Sequence, residues 1–217
     1  MRAPVRFLFY RDPGTSRPSF VAPLRESGLK PADEIARGTF LVASPMLRDP
    51  NFVRSVVLLC EHTEEGSWGL VVNRRTELTL GDVLPDVPFP ASNQLPVLWG
   101  GPVETSRMQV LHRLRRGPGE EIEICPDVCL GLEIEDLREI VRSAPLAGEA
   151  LHPIVGHAGW GAGQLTSEIR GGAWIVCHAE ARFVFDVPRE AVWEEVLLAL
   201  GGRFAHLARV PLDPRLN

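Results

Sequence analysis

Three residues at the end of an apolar run, Cys60, Glu61 and His62, have side chains that could do chemistry. A thiol, a carboxylate and an imidazole can serve acid–base catalysis or bind a metal ion. Alternation along a strand, however, places Cys60 and His62 on one face and Glu61 on the other. The alternative interpretation is structural: Glu61 and His62 form a network that bonds the backbone of the following turn.

The other cysteines do not have the spacing of a strong metal motif. Cys125 and Cys129 are separated by three residues that include Pro126, and Cys177 follows an apolar run ahead of His178. Structural zinc sites use closely spaced pairs of cysteines or histidines. We therefore interpret the cysteines as reduced, buried apolar side chains, and we expect no metal and no cofactor.

Two glycine-rich segments, residues 100–101 and 159–163, could hold a small anion on exposed backbone amides. Neither has the glycine spacing of a dinucleotide-binding or phosphate-binding loop. A structural role is the favoured interpretation, since glycine permits a positive φ angle or a close approach of two backbones. Together with the polar groups nearby, the candidate ligand-binding residues are Glu61, His62, Asn73, Gly100, Gly101, Gly159, Trp160, Gly163 and Gln164.

One dense basic cluster is a candidate for contact with nucleic acid or an acidic partner. It contains His112 and the four candidate residues Arg107, Arg113, Arg115 and Arg116. Three glutamates follow directly, at Glu120, Glu121 and Glu123, so mutual neutralisation on a solvated hairpin is the favoured interpretation. The two clearest helices are also far apart in sequence and acidic on their outer faces, which argues against a helix-turn-helix.

Composition limits the class of protein. A chain of 217 residues with 45% hydrophobic residues can bury a substantial core in one domain. Its apolar runs fall far short of the roughly 20 residues that span a bilayer, and Arg11 and Asp12 interrupt the N-terminal apolar stretch, unlike a signal peptide. We expect a cytoplasmic protein with no membrane partner. The net charge of −5 also argues against a general attraction to nucleic acid.

Periodicity and turn residues predict an α+β protein or a mixed sheet rather than a strict β-α-β alternation. Residues 1–35 contain five prolines without a sustained period, which indicates a flexible tail with at most a short helix near 32–36. Residues 36–217 are expected to form a single domain. The predicted strands are 39–43, 54–60, 68–73, 96–99, 108–112 and 152–158, followed by a last strand pair at 173–177 and 182–185. One short helix is predicted to begin at Thr79. Two longer helices are predicted at 134–144 and 189–200.

Four blocks of sequence, in their order and spacing, resemble the YqgE/AlgH family. They are residues 38–46 with 49–52, residues 55–62 continuing to 69–74, residues 100–103 with 111–112, and residues 159–165 with Glu168. Trp174 and the segment from Pro188 through Trp193 to Gly201 also match. The resemblance covers roughly residues 36–205. Two departures are the longer N-terminal tail and His157, which stands where a tyrosine or another apolar residue is expected.

The resemblance implies a compact bacterial cytosolic protein with a complex coiled mixed β-sheet and flanking helices. Some members of that largely uncharacterised family are named as transcriptional regulators of exopolysaccharide production, and the family supplies no catalytic residues. No Gly-x-Ser-x-Gly elbow is present, and nothing in the sequence requires an enzyme. The leading hypothesis is a non-enzymatic regulatory or interaction protein that acts through a partner protein or a small anionic ligand. The alternatives are a small-molecule-binding protein or unassigned enzyme with a cleft near Glu61, His62, Asn73 and Gln164, and direct DNA binding through Arg107–Arg116.

Overall fold

A computed structural model describes residues 34–85, 95–114, 122–143 and 150–211. The strands are β1 (Thr39–Ala43), β2 (Val56–His62), β3 (Gly66–Val71), β4 (Arg75–Thr79), β5 (Pro96–Trp99), β6 (Val103–His112), β7 (Ile122–Cys125), β8 (Val128–Leu130), β9 (Leu151–Gly161) and β10 (Trp174–His178). The helices are α1 (Leu80–Val83), α2 (Ile134–Ser143), α3 (Gln164–Arg170), α4 (Ala181–Phe185), α5 (Val192–Leu200) and α6 (Gly202–Leu207).

The strands form one curled sheet in the order β10-β1-β2-β3-β9-β6-β8-β7, and β4 pairs with β5 beside that path. The described pairs are antiparallel except for β5 with β9. With helices on its faces, the sheet gives the α+β, coiled mixed architecture that the sequence predicts.

Strand β9 organises the sheet because both of its edges are paired. One edge pairs with β6 over most of its length. The other edge pairs first with β5, at Ile154 and Val155, and then with β3, from Ala158 to Gly161. Elements that are distant in sequence therefore meet along a single eleven-residue strand.

The described residues form two hydrophobic cores. The larger core packs β1, β2, β3 and β10 against α4, α5 and α6. The predicted apolar stripe of α5 lies within it, since Val192, Val196 and Leu197 are fully buried. The smaller core packs α2 against β6 and β9 through Leu137 and Ile140, each 1% exposed.

The predicted last strand pair is wrong. Residues 182–185 form helix α4, and β10 pairs with β1 instead, over a five-residue register. The helical turn buries Phe183, Val184 and Phe185 together, and the ring of Phe183 meets that of Phe40 edge-on at 6.4 Å.

Other boundaries also differ from the predictions. Residues 159–161, predicted as loop, continue β9 because β3 pairs with them. Helix α5 begins at Val192, after a turn at 189–191, and a further helix, α6, follows Gly201. Strands β4, β7 and β8 were not predicted, because each is short and β4 and β7 are only partly apolar. Residues 34–36 are not helical, and residues 1–33 lie outside the described part of the chain.

Among the described residues, no helix is both long and apolar enough to cross a membrane.

Candidate functional site

Glu61 and His62 make local contacts at the end of β2. The Trp68 indole donates to Glu61 Oε2 at 3.0 Å, and His62 Nδ1 lies 2.6 Å from the hydroxyl of Ser67. Trp68 and Ser67 belong to β3 and face these residues in the ladder. A β-bulge lies between Leu59 and Glu61. The bulge interrupts the regular alternation from which Cys60 and His62 were predicted to lie on one face and Glu61 on the other.

Asn73 follows β3 and hydrogen-bonds to the backbone at the start of β2. Its Oδ1 accepts the amide of Val56 at 2.8 Å, and its Nδ2 donates to the carbonyl of Arg54 at 2.9 Å. Val56 begins β2, five residues before Glu61, which is about 16 Å along an extended strand. Asn73 therefore lies at the opposite end of the ladder from Glu61 and His62.

Gly100 and Gly101 are packed against the backbone of β9. A Cβ atom on Gly100 would stand 2.3 Å from the carbonyl oxygen of Gly156, and one on Gly101 would stand 2.1 Å from the carbonyl carbon of His157. The amide of Gly100 donates to Val155 at 2.8 Å and its carbonyl accepts from Val71 at 2.9 Å. Both glycines permit a close backbone approach, and Gly100 uses its polar groups within the sheet.

The second glycine segment leads into a network centred on Glu168. One carboxylate oxygen accepts the indole N–H of Trp160 at 2.9 Å and that of Trp174 at 2.8 Å, and the other accepts the Gln164 amide at 2.9 Å. Gln164 Oε1 in turn accepts the amide of Gly161 at 3.1 Å. Gly163 precedes α3 with a φ of 70°, and Gly159 is exposed within β9. The network fixes the start of α3 on the end of β9.

These nine candidate residues thus do not enclose one cleft. Asn73 and Gln164 use their amide groups for structural bonds at separate places, and Gly100 and Gly101 lie against β9. Glu61 accepts a hydrogen bond from Trp68, which lines a cavity that the sequence did not predict.

We call this cavity the apolar cleft. It has a volume of about 660 Å³ and lies between β6, β8 and α2, with Trp68 and His157 at one end. Its lining residues are Trp68, Val103, Glu104, Arg107, Met108, Gln109, Val110, Ile122, Leu130, Gly131, Leu132, Ile134, Leu137 and His157. Three of its aliphatic side chains are strongly exposed: Val103 at 40%, Ile122 at 47% and Ile134 at 37%.

A cluster of charged and polar groups forms one end of the apolar cleft. Glu104 Oε2 lies 3.2 Å from the guanidinium of Arg107 and 3.9 Å from His157 Nδ1. The His157 ring meets Trp68 edge-on, with ring centroids 5.9 Å apart. A ligand in the cleft would therefore meet apolar side chains along its length and both signs of charge at this end.

An irregularity in β6 creates the charged end of the cleft. From Val103 to Met108 the strand advances five residues, while its partners on β9 advance only two, from His157 to Val155. The extra residues leave the ladder, and Glu104 adopts a left-handed φ of 47°. Sequence reasoning missed Trp68 and Glu104 as site residues. Its one indication was His157, a polar residue where an apolar one was expected.

The described arginines of the basic cluster are paired with carboxylates. Arg107 pairs with Glu104, and Arg113 lies 2.5 Å from Asp186. Neutralisation was predicted, but these acidic partners differ from the predicted Glu120, Glu121 and Glu123. Arg115, Arg116, Glu120 and Glu121 lie outside the described residues.

The cysteines are in apolar surroundings and none forms a disulfide. Burial raises the pKa of the Cys177 thiol to about 12, and burial likewise raises the pKa of Cys125 to about 12. Burial raises the pKa of Cys60 further still. These three thiols are therefore protonated at neutral pH and poor nucleophiles. Within the described residues, no group of three His, Cys, Asp or Glu side chains is placed to hold a metal ion.

Comparison with known proteins gives consistent matches over most of the chain. A UPF0301 protein of Chlamydia abortus is 37% identical over 183 residues, which cover 84% of this chain and 96% of that protein. A UPF0301 protein of Hahella chejuensis is 37% identical over 166 residues, covering 76% and 87% of the two chains. These names state no activity.

Two solved structures have the same fold. The crystal structure of a protein from Corynebacterium diphtheriae has a TM-score of 0.67 and 26% identity, and the match covers 82% of this chain and 93% of that one. The solution structure of AlgH from Pseudomonas aeruginosa has a TM-score of 0.65 and 31% identity, covering 91% and 98%. The family model described as AlgH-like matches residues 40–205. The chain belongs to this AlgH-like family, which the sequence resemblance named as YqgE/AlgH.

Proposed function

We propose that the protein is a non-enzymatic interaction protein that binds an apolar segment of a partner protein in the apolar cleft. The observation that carries this proposal is the exposure of Val103, Ile122 and Ile134, which belong to three different elements and line one cavity. Aliphatic side chains that gather at an exposed surface mark interaction sites more often than isolated ones do.

The shape and charges of the cleft favour a peptide segment as the occupant. A cavity of about 660 Å³ can take several side chains, and its apolar walls can bury them. Glu104, Arg107 and His157 at one end can bond polar groups of the segment and so fix its direction.

Regulation by this protein would then work through protein contacts in the cytoplasm. The net charge of −5 disfavours operator binding, and Arg107 and Arg113 are already paired with carboxylates. A transcriptional role of the kind for which family members are named would be indirect, through the partner.

Binding of a small molecule in the same cleft is the second candidate function, because its volume lies in the usual range for ligand pockets, roughly 300–1,000 Å³. A cleft near Asn73 and Gln164 is a weaker candidate, since both side chains have structural partners.

The test compares two variants that place a carboxylate on the surface. Ile134→Glu puts the charge in the cleft, where Ile134 is 37% exposed, and Leu198→Glu puts it on α5, where Leu198 is 36% exposed. Immobilised wild type and both variants are used to capture proteins from a bacterial cytosolic extract. Each protein that the wild type retains is then purified and titrated calorimetrically against all three.

We expect to find a partner protein that binds Ile134→Glu with a Kd about tenfold or more above the wild-type value, as for an interface hot spot. The same partner should bind Leu198→Glu with a Kd within about twofold of the wild-type value. Equal affinity for the two variants would place the interface elsewhere. If the wild type retains no protein, and a small apolar molecule instead binds it and loses affinity with Ile134→Glu, the second candidate function replaces the first.

A further inference from the structure

A second cavity, of about 330 Å³, lies on another part of the molecule and is lined by basic side chains. We call it the arginine pocket. Its lining residues are Arg75, Pro96, Leu98, Leu151, His152, Phe185, Asp186, Val187, Pro188 and Arg189. None of these residues lines the apolar cleft, so the two cavities are separate.

Arg189 is a buried cation with neutral hydrogen-bond partners. Its side chain is 6% exposed, and it donates to the carbonyls of Val72 and Val184 and to His152 Nε2. A buried guanidinium usually pairs with a carboxylate or phosphate that offsets the cost of burial. Here no carboxylate among the described residues hydrogen-bonds to it, so its charge is only partly compensated.

His152 contributes no compensating charge. Its ring stacks on Phe185 with centroids 4.9 Å apart, and its Nε2 accepts from Arg189. Burial, together with the nearby charges of Arg189, Arg113 and Arg75, lowers the pKa of His152 to about 3. The imidazole is neutral at physiological pH.

A second arginine lines the pocket, and a third contacts two of its lining residues. Arg75 lines the pocket from β4, is exposed, and has no hydrogen-bond or ion-pair partner among the described residues. Arg113 packs its guanidinium 4.4 Å from the centroid of Phe185 and pairs with Asp186. Asp186, which lines the pocket, is thus paired with Arg113. Arg75 and Arg189 line the pocket as cations that hydrogen-bond to no carboxylate among the described residues.

We propose that the arginine pocket binds a small molecule that carries a phosphate monoester. Guanidinium groups bind phosphate oxygens through paired, charge-assisted hydrogen bonds. The doubly charged phosphate matches two wall cations better than a singly charged carboxylate does. Leu98, Leu151 and Pro188 supply an apolar surface for the organic part of the molecule.

The test uses phenyl phosphate as the probe, because it combines a phosphate monoester with a small apolar group. The full chain is titrated calorimetrically with phenyl phosphate, and benzoate serves as the matched singly charged probe. The variant is Arg75→Ala, which removes an exposed side chain without described bonding partners. The control is Arg170→Ala, which removes an exposed arginine from α3. Thermal denaturation checks that both variants remain folded.

We expect saturable binding of phenyl phosphate, weaker binding of benzoate, and a Kd that rises about tenfold or more with Arg75→Ala. Arg170→Ala should leave the Kd within about twofold. Equal weakening in the two variants would show general attraction to positive charge and overturn the proposal. Absence of saturable binding, or benzoate binding as tightly as phenyl phosphate, would overturn it as well.

Discussion

At the scale of single residues, Glu168 has an unusual combination of partners. Its carboxylate accepts two indole N–H groups and one amide, and the two tryptophans are nearly buried, Trp160 at 6% and Trp174 at 4%. Phe52 packs against both indole rings, with centroids 6.4 Å and 5.6 Å away. One side chain thus positions an aromatic cluster that joins β9, β10 and α3.

Replacing Glu168 by alanine would leave both indole donors without their acceptor. We expect Glu168→Ala to lower the free energy of unfolding by about 2 kcal/mol, which is a typical cost of unsatisfied buried donors. Urea denaturation followed by tryptophan fluorescence measures it. Glu65→Ala, in the exposed turn before β3, should change the free energy by less than about 0.5 kcal/mol. A similar value for the two variants would mean that solvent already satisfies the indoles.

His152 gives the protein a dependence of stability on pH. The pKa of its imidazole is lowered from 6.5 to about 3 in the folded protein, mainly by burial and then by Arg189 and Arg113. Below pH 6.5 the unfolded chain therefore binds a proton that the folded protein does not bind. The stability is fully present above pH 6.5 and is lost as the pH falls toward 3.

We expect this histidine to lower the free energy of unfolding by about 2 kcal/mol between pH 7.5 and pH 5. Urea denaturation at the two pH values should show a smaller loss for His152→Gln, which cannot titrate but can still accept from Arg189. The exposed His178 provides the control, and His178→Gln should lose as much stability as the wild type. An unchanged loss in His152→Gln would show that the pKa of His152 is near its ordinary value.

At the scale of elements, the meeting of β3, β5 and β9 depends on Gly100. Its amide and carbonyl connect β9 to β3 at the point where β5 ends. A methyl group there would stand 2.3 Å from the Gly156 carbonyl oxygen and 2.6 Å from a methyl of Ile154. Both contacting groups belong to β9, the central strand, so moving either one would cost stability.

We therefore expect Gly100→Ala to cost about 3 kcal/mol or more, as overpacking against backbone does. Gly81→Ala is the control, because a Cβ in α1 would meet only the Thr79 hydroxyl at 3.8 Å. It should be neutral or slightly stabilising, since alanine favours helix. Thermal denaturation compares the two. An equal melting temperature for both variants would show that β5 can shift away from β9.

The sequence predicted elements well where local pattern and pairing agree. Strands β1 and β5 and helix α2 appear nearly as predicted, since their apolar periodicity matches the face that they bury. Residues 182–185 were mistaken for a strand because their apolar run is equally compatible with a buried helical turn. The partners of β9 could not be predicted, because pairing between distant segments leaves no local pattern.

The candidate site was less predictable than the fold, for a related reason. Asn73 and Gln164 were selected as polar residues near glycines, yet their bonds are to backbone and to Glu168. The apolar cleft arises from an irregular stretch of β6 that the sequence does not mark, and it joins Trp68 to Ile134 across 66 positions. Side chains that are separated this far form a site only after the sheet has curled.

At the scale of the whole molecule, charge decides between partner binding and DNA binding. The net charge of −5 repels a polyanion, and affinity for DNA would have to come from a local cationic surface. Arg107 and Arg113 are the described arginines of the predicted basic cluster. Arg107 pairs with Glu104, and Arg113 pairs with Asp186. We expect no DNA binding tighter than the micromolar range of non-specific contacts, about 10⁻⁶ M.

The double variant Glu104→Ala/Asp186→Ala tests whether those two carboxylates mask the arginines. It changes the net charge from −5 to −3, and so does the control, Glu65→Ala/Glu194→Ala, at exposed positions elsewhere. Fluorescence anisotropy with a labelled duplex, at low and at physiological salt, measures the affinity of each protein. The first variant should gain more affinity than the control, and the gain should fall as salt rises, because unmasked arginines release counterions from the phosphates. Submicromolar binding by the wild type that salt abolishes would contradict this expectation. It would make the basic cluster, rather than the apolar cleft, the surface through which the protein acts.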